Sequence, residues 1–146
     1  MSVFTANEQT YLDSQFLGRL ATVAPDGAPQ VRPVAFVYNR EHDTIDIGGH
    51  NLVASRKYRN LQADPRTSLV VDDLASTTPW SPRGIEIRGT AELLAAEPLQ
   101  PGFDAALIRI RPARVLAWGL DTDPYEPPNA RDVTAGPPST PPAGRH

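Results

Sequence analysis

The stretch "LGRLATVAPDGAPQVRPVAFVY", residues 17–38, governs how the rest of the chain is read. At its centre Pro25, Asp26 and Gly27 make a turn signal: proline presets φ, aspartate bonds its own backbone, and glycine takes the left-handed conformation at no steric cost. The runs on either side are β-type. "LGRLATVA" is a short strand, and "QVRPVAFVY" carries Val31, Val34, Phe36 and Tyr38 in a second one, so the pair predicts an antiparallel hairpin. Downstream, "NREHD" turns the chain into "TIDIGG", and "TSLVVDD", "GIEIRGTAELL" and "LIRIRPARVLAWG" supply further β-branched runs. Upstream, Thr5 stands three residues before Glu8, the spacing of a capping box, and predicts a short N-terminal helix. A second helix is expected where Ala54, Tyr58 and Leu61 recur at i, i+4 and i+7, capped by Ser55 or Asn51 and stopped at Asp64-Pro65. About six strands and two short helices predict a mainly β chain folded as a small closed or partly closed antiparallel barrel.

Bulk properties bound the function. With 146 residues, 40% of them apolar, the chain has the length and composition of one globular domain. Its formal charge of -3 argues against a general nucleic-acid binder. There is no cysteine, which excludes disulfides and thiolate chemistry and suits a reducing compartment. The first twenty residues hold Glu8 and Asp13 and no long apolar run, so no signal peptide or membrane span is expected and the reading is cytoplasmic. Many of the 16 prolines fall after Pro124, in "PYEPPNARDVTAGPPSTPPAGRH". That composition predicts a domain over residues 1–120 and a Pro-rich flexible tail over 121–146, dispensable for binding; the alternative, which Tyr125 and the prolines permit, is that part of the tail wraps a partner subunit.

Against this acidic background, "HNLVASRKYRNLQADPR" (residues 50–66) concentrates Arg56, Lys57, Arg59 and Arg66. With Ala54, Tyr58 and Leu61 turned inward, Arg56 and Arg59 project elsewhere and Lys57 lies at the boundary near the helix start. Cations beside free helix N-terminal amides make an anion site that a phosphate would fit. A solvated face whose cations pair with nearby acids would look the same in sequence. Other chemistry is not signalled. His42, His50 and His146 lack metal-ligand spacing, so no metal is expected, and there is no nucleophile elbow, Walker loop or G-x-G-x-x-G.

Taken in order, "LGRLATVAPDGAPQVRPVAFVY", "TIDIGGH", "SRKYRNLQADPRTSLVVDD" and "PWSPRGIEIRGTAEL" resemble the pyridoxamine 5'-phosphate oxidase-like split β-barrel family, over about residues 16–118. The resemblance is to its actinobacterial branch described as dependent on the deazaflavin coenzyme F420, and "DTIDIGGHN" with "RPARVLAWGL" is similar to a subgroup within that branch. The resemblance implies a split β-barrel of the FMN-binding type, assembled as a homodimer with two cofactor sites at the interface. It implies that Arg56 and Lys57 hold the cofactor phosphate, with Ser55 standing where some relatives carry another arginine. It places His50 at the end of the third strand, where it either donates to the phosphate or merely closes the strand, and Gln30, Pro33 and Val34 facing the ring. Proline at position 33 removes a donor there, leaving Gln30 the better candidate for a ring hydrogen bond. Trp80 and Ser81 would close over the ring from the partner subunit, although an interfacial filler role also suits Trp80.

The implied activity is an oxidoreductase passing hydride from reduced F420 to a small organic acceptor. The cofactor carries the two-electron step, so no catalytic side chain is required. FMN is the alternative cofactor on the same fold, a non-catalytic flavin or deazaflavin carrier is an alternative of another class, and a dimeric stress protein without cofactor is a third.

Overall fold

A computed structural model describes residues 1–133. The elements follow the order α1 (Ala6–Ser14), β1 (Leu17–Val23), β2 (Pro29–Asn39), β3 (Thr44–Gly48), α2 (Arg56–Ala63), β4 (Arg66–Thr77), β5 (Trp80–Ala95), β6 (Ala106–Trp118) and β7 (Asn129–Asp132). The expected hairpin is present, with Val23 opposite Pro29 and Leu17 opposite Ala35. Its turn works as the residue types imply: Gly27 sits at φ 87°, and the Asp26 carboxylate accepts from the Ala28 amide at 3.0 Å.

All pairings are antiparallel, in the order β3-β2-β1-β4-β5-β6-β7, and a further β3–β6 pairing closes the first six strands into a barrel. Inward positions form the core; Leu20, Ile45, Leu69, Ile85 and Ile108 are fully or almost fully buried. Each such side chain stabilises the fold by about 1.5–3 kcal/mol relative to exposure. The seam is reinforced by charge: Arg109 of β6 donates two bonds of 3.0 Å to Asp46 of β3. Asn39 and Thr44 donate to the same carboxylate. These bonds hold Asp46 below the usual aspartate range although burial pushes the other way.

Both expected helices form. Thr5 and Glu8 make the reciprocal capping box of α1. Ser55, not Asn51, caps α2 by accepting from the Tyr58 amide, and Asp64 ends the helix. Leu61 is buried and Tyr58 half-buried as the periodicity implies, but Ala54 precedes the helix and is exposed.

The fold runs past the boundary expected at Leu120. Strand β7 lies inside the segment read as a flexible tail, and pairs with the second half of β6 from Arg114–Asp132 to Ala117–Asn129. The composition hid what the strand contributes, which is charge rather than apolar area. Arg131 reaches the carboxylate of Glu8, which is wholly buried in α1, and donates to both of its oxygens and to the Val3 carbonyl. Residues 134–146, the remainder of that segment, lie outside the described residues.

Candidate functional site

Helix α2 covers the barrel end where β1 finishes and β2 begins. Its buried Asn60 donates to Thr22 Oγ1 at 3.0 Å and to Gln30 Oε1 at 2.9 Å, tying the helix to both strands. Thr22 and Gln30 face each other across the hairpin. Lys57 stands three residues before Asn60, on the same side of the helix.

The cations of α2 and its neighbour on β2 are unlike the rest. Arg19, Arg40, Arg66, Arg83, Arg88, Arg109, Arg111, Arg114 and Arg131 each pair with a carboxylate. Among the described residues the lysine and arginine side chains outside any ion pair are Arg32, Arg56, Lys57 and Arg59. Three of them lie in α2; the fourth comes from β2. Lys57 is half-buried, and burial together with the nearby Arg32 guanidinium pulls its pKa below the ordinary lysine value. A lysine that is partly desolvated, beside a like charge and without a counter-ion, is the arrangement an anion would relieve. The first-turn amides of α2 add donors without intrahelical partners. Guanidinium groups, an ammonium and free amides form a donor set that fits a phosphate.

Arg32 was not among the residues expected here. The signal was in the strand alternation: residues 30, 32, 34, 36 and 38 share one face, and Val34, Phe36 and Tyr38 of that series are buried. An arginine in register with core residues needs a reason, and the reason is its place beside Lys57.

The other expected residues are distributed more widely. Gln30 lies beside the cluster through Asn60. Pro33 is exposed on the opposite, outer face of β2, paired with Arg19. The Val34 side chain is 5% exposed and belongs to the core, so only its backbone is offered to a neighbour. His50 follows β3 but its ring is engaged: Nδ1 donates to the Gly102 carbonyl at 2.7 Å, and the ring meets Phe103 edge-on. Asp104 accepts from the Asn51 and Val53 amides, so the β5–β6 loop is locked onto the approach to α2.

Trp80 and Ser81 start β5 beyond the cis Thr78–Pro79 bond, at the tip of the β4–β5 hairpin. Because β4 leaves α2 at Arg66 and runs the length of the barrel, this tip stands at the end remote from Lys57. One chain therefore does not bring Trp80 to the cation cluster. Trp80 is 58% exposed, and its carbonyl accepts from the Tyr125 hydroxyl. Phe16, Leu17 and Leu74 are exposed apolar residues of the same end.

A groove of about 650 Å³ lies at the α2 end and is lined by Val23, Pro29, Arg66, Ser68, Arg88 and Thr90 among others. Its volume suits a small organic molecule. Its arginines are already paired with Asp64 and Glu86, so it offers no free cation to a phosphate.

Known proteins are similar to this chain in sequence and in fold. A reductase of Streptomyces rimosus, named for 5a,11a-dehydrotetracycline and 5a,11a-dehydrooxytetracycline, is 40% identical over 134 residues, covering 90% of this chain and 94% of its own. A solved structure described as an F420 reductase superposes with a TM-score of 0.58 at 26% identity, over 73% of this chain and 94% of its own. A FAD-binding protein from Mesorhizobium loti has the same fold, with a TM-score of 0.56 at 22% identity over 77% of this chain and 90% of its own. The family profile of pyridoxamine 5'-phosphate oxidase matches residues 4–131, from just before α1 through Arg131 of β7, and the chain belongs to that family.

Proposed function

We propose that the protein is a homodimeric reductase that binds coenzyme F420, with Arg56, Lys57 and Arg32 on its phosphate, and passes hydride to a small organic acceptor. The observation that carries this reading is the set of unpaired cations around a desolvated Lys57, in a chain where every other described arginine is neutralised. A solvated face predicts the opposite, cations paired with nearby acids. Once bound, the deazaflavin supplies the two-electron step. The chain's residues anchor and orient it: the cations fix the phosphate, Gln30 donates toward the ring, and Trp80 and Ser81 of a second subunit cover the site and exclude water. The distance of Trp80 from Lys57 within one chain supports assembly as a dimer.

The Streptomyces rimosus relative supports an acceptor of the conjugated polycyclic type, reduced at an activated carbon–carbon double bond. The solved F420 reductase supports the deazaflavin. FMN is the second reading, favoured by the FAD-binding neighbour and by a cation set that suits either phosphate. The lack of cysteine and of any described helix long and apolar enough to cross a membrane accords with a cytoplasmic site of action.

The test is titration of the protein with F420 and with FMN while following tryptophan fluorescence. F420 is expected to quench more strongly and at lower concentration, and Lys57→Ala to weaken that response. Tighter binding of FMN would move the reading to the flavin, and no response to either would remove it.

A further inference from the structure

We infer that Asn60 is a positioning residue that sets which way the Gln30 amide faces, turning its N–H donors toward the bound cofactor. The inference rests on the cofactor reading above. Asn60 is 1% exposed and spends both hydrogens of its amide, one on Thr22 Oγ1 and one on Gln30 Oε1. Gln30 must then accept through Oε1, and its Nε2 is turned away from Asn60. Among the described residues Nε2 meets no acceptor, whereas the half-buried Gln30 lies beside the cation cluster of α2 and β2.

The charge around it makes this orientation one that must be enforced. Arg32 precedes Val34 on the same strand face as Gln30, and Lys57 shares the inner side of α2 with Asn60. Left to itself, an amide near two cations turns its carbonyl oxygen toward them. It would then present an acceptor where an anionic or carbonyl-bearing cofactor also presents acceptors. Asn60 holds that oxygen back. Thr22 takes the second Asn60 hydrogen, so in this geometry both hydrogens of the Asn60 amide are engaged, one on each strand of the hairpin. No other described element places a donor on Gln30 Oε1, so the orientation depends on a single buried side chain of α2.

The experiment measures F420 affinity and the absorbance spectrum of bound F420 for Asn60→Leu, Gln30→Ala and the double variant, with Asn60→Ala as a second replacement should Asn60→Leu not fold. Melting temperatures of the unliganded proteins establish folding. Asn60→Leu is expected to weaken binding roughly tenfold and to shift the bound spectrum as Gln30→Ala does. In the Gln30→Ala background the same substitution should change affinity by less than about twofold, because its effect runs through the missing amide. Equal losses in both backgrounds would overturn the inference and assign Asn60 to helix packing alone. If Gln30→Ala left affinity and spectrum unchanged while Lys57→Ala abolished binding, the inference would fall and the phosphate site would stand. If the unaltered protein bound neither F420 nor FMN, both would fall.

Discussion

Lys57 concentrates the functional argument in one ammonium group. Removing it would leave the phosphate of the proposed cofactor without a charge-assisted partner in a partly buried site, a loss of about 2–5 kcal/mol of binding. Lys57→Ala and Arg32→Ala are therefore expected to weaken cofactor binding from about thirty-fold upward. Neither should lower the melting temperature of the unliganded protein, because each relieves repulsion between like charges. Arg66→Ala is the control, since Arg66 pairs with Asp64 on the surface and its side chain is 77% exposed. Its effect on affinity should stay under about twofold. Protonation gives an independent check. Burial and Arg32 lower the Lys57 pKa, so between that lowered value and the ordinary lysine value the unfolded chain holds a proton that the folded protein lacks. Stability from this group consequently rises with pH across that window. Phosphate favours the charged form, so binding there should take up a proton, detected as a buffer-dependent calorimetric heat and absent in Lys57→Arg. Arg56 and Lys57 were legible as a pair of cations in an acidic chain. Their lack of counter-ions was not, because pairing depends on which acids the barrel brings close.

Strand β7 shows what composition conceals. A four-residue strand in a proline-rich segment has little apolar area to announce it, yet Arg131 neutralises the wholly buried Glu8. Arg131→Ala would strand that carboxylate, at a cost of about 3–5 kcal/mol. The expected result is a melting temperature lower by roughly 10 °C or more, and truncation after Asp123 should do at least as much. The helices read better than the strand because their signals are local: the Thr5–Glu8 box and the Ser55 cap lie within a few residues of what they stabilise. The β3–β6 seam adds a pH signature. Asp46 is held below the ordinary aspartate value, so its contribution is complete above that value and is lost as pH falls through the lowered one. Asp46→Asn should reduce the melting temperature at neutral pH, and the gap from the unaltered protein should narrow in strong acid.

At the scale of the whole fold, the two parts of the proposed site stand at opposite barrel ends, which a second copy would reconcile. Sedimentation at micromolar concentration should show a dimer, and a monomer would count against the site as drawn. Barrel closure was legible from about six alternating strands, because alternation marks which face is inside. The joining of β3 to β6 was not, since register between distant strands leaves no local trace. Val34 and Pro33 illustrate the same limit: adjacent in sequence, one is core and the other lies on the outer face. Where the sheet ends has a consequence for association. β3 has neighbours on both sides and β6 is lined by β3 along its first half and β7 along its second, so on this side of β6 the open hydrogen-bonding edge passes to β7. That edge is four residues long and carries Arg131 and Asp132, a poor template for a foreign strand. Losing β7 would bare the β6 edge from Arg114 to Ala117, which includes Val115 and Leu116, and make strand addition between molecules the first failure of a shortened chain.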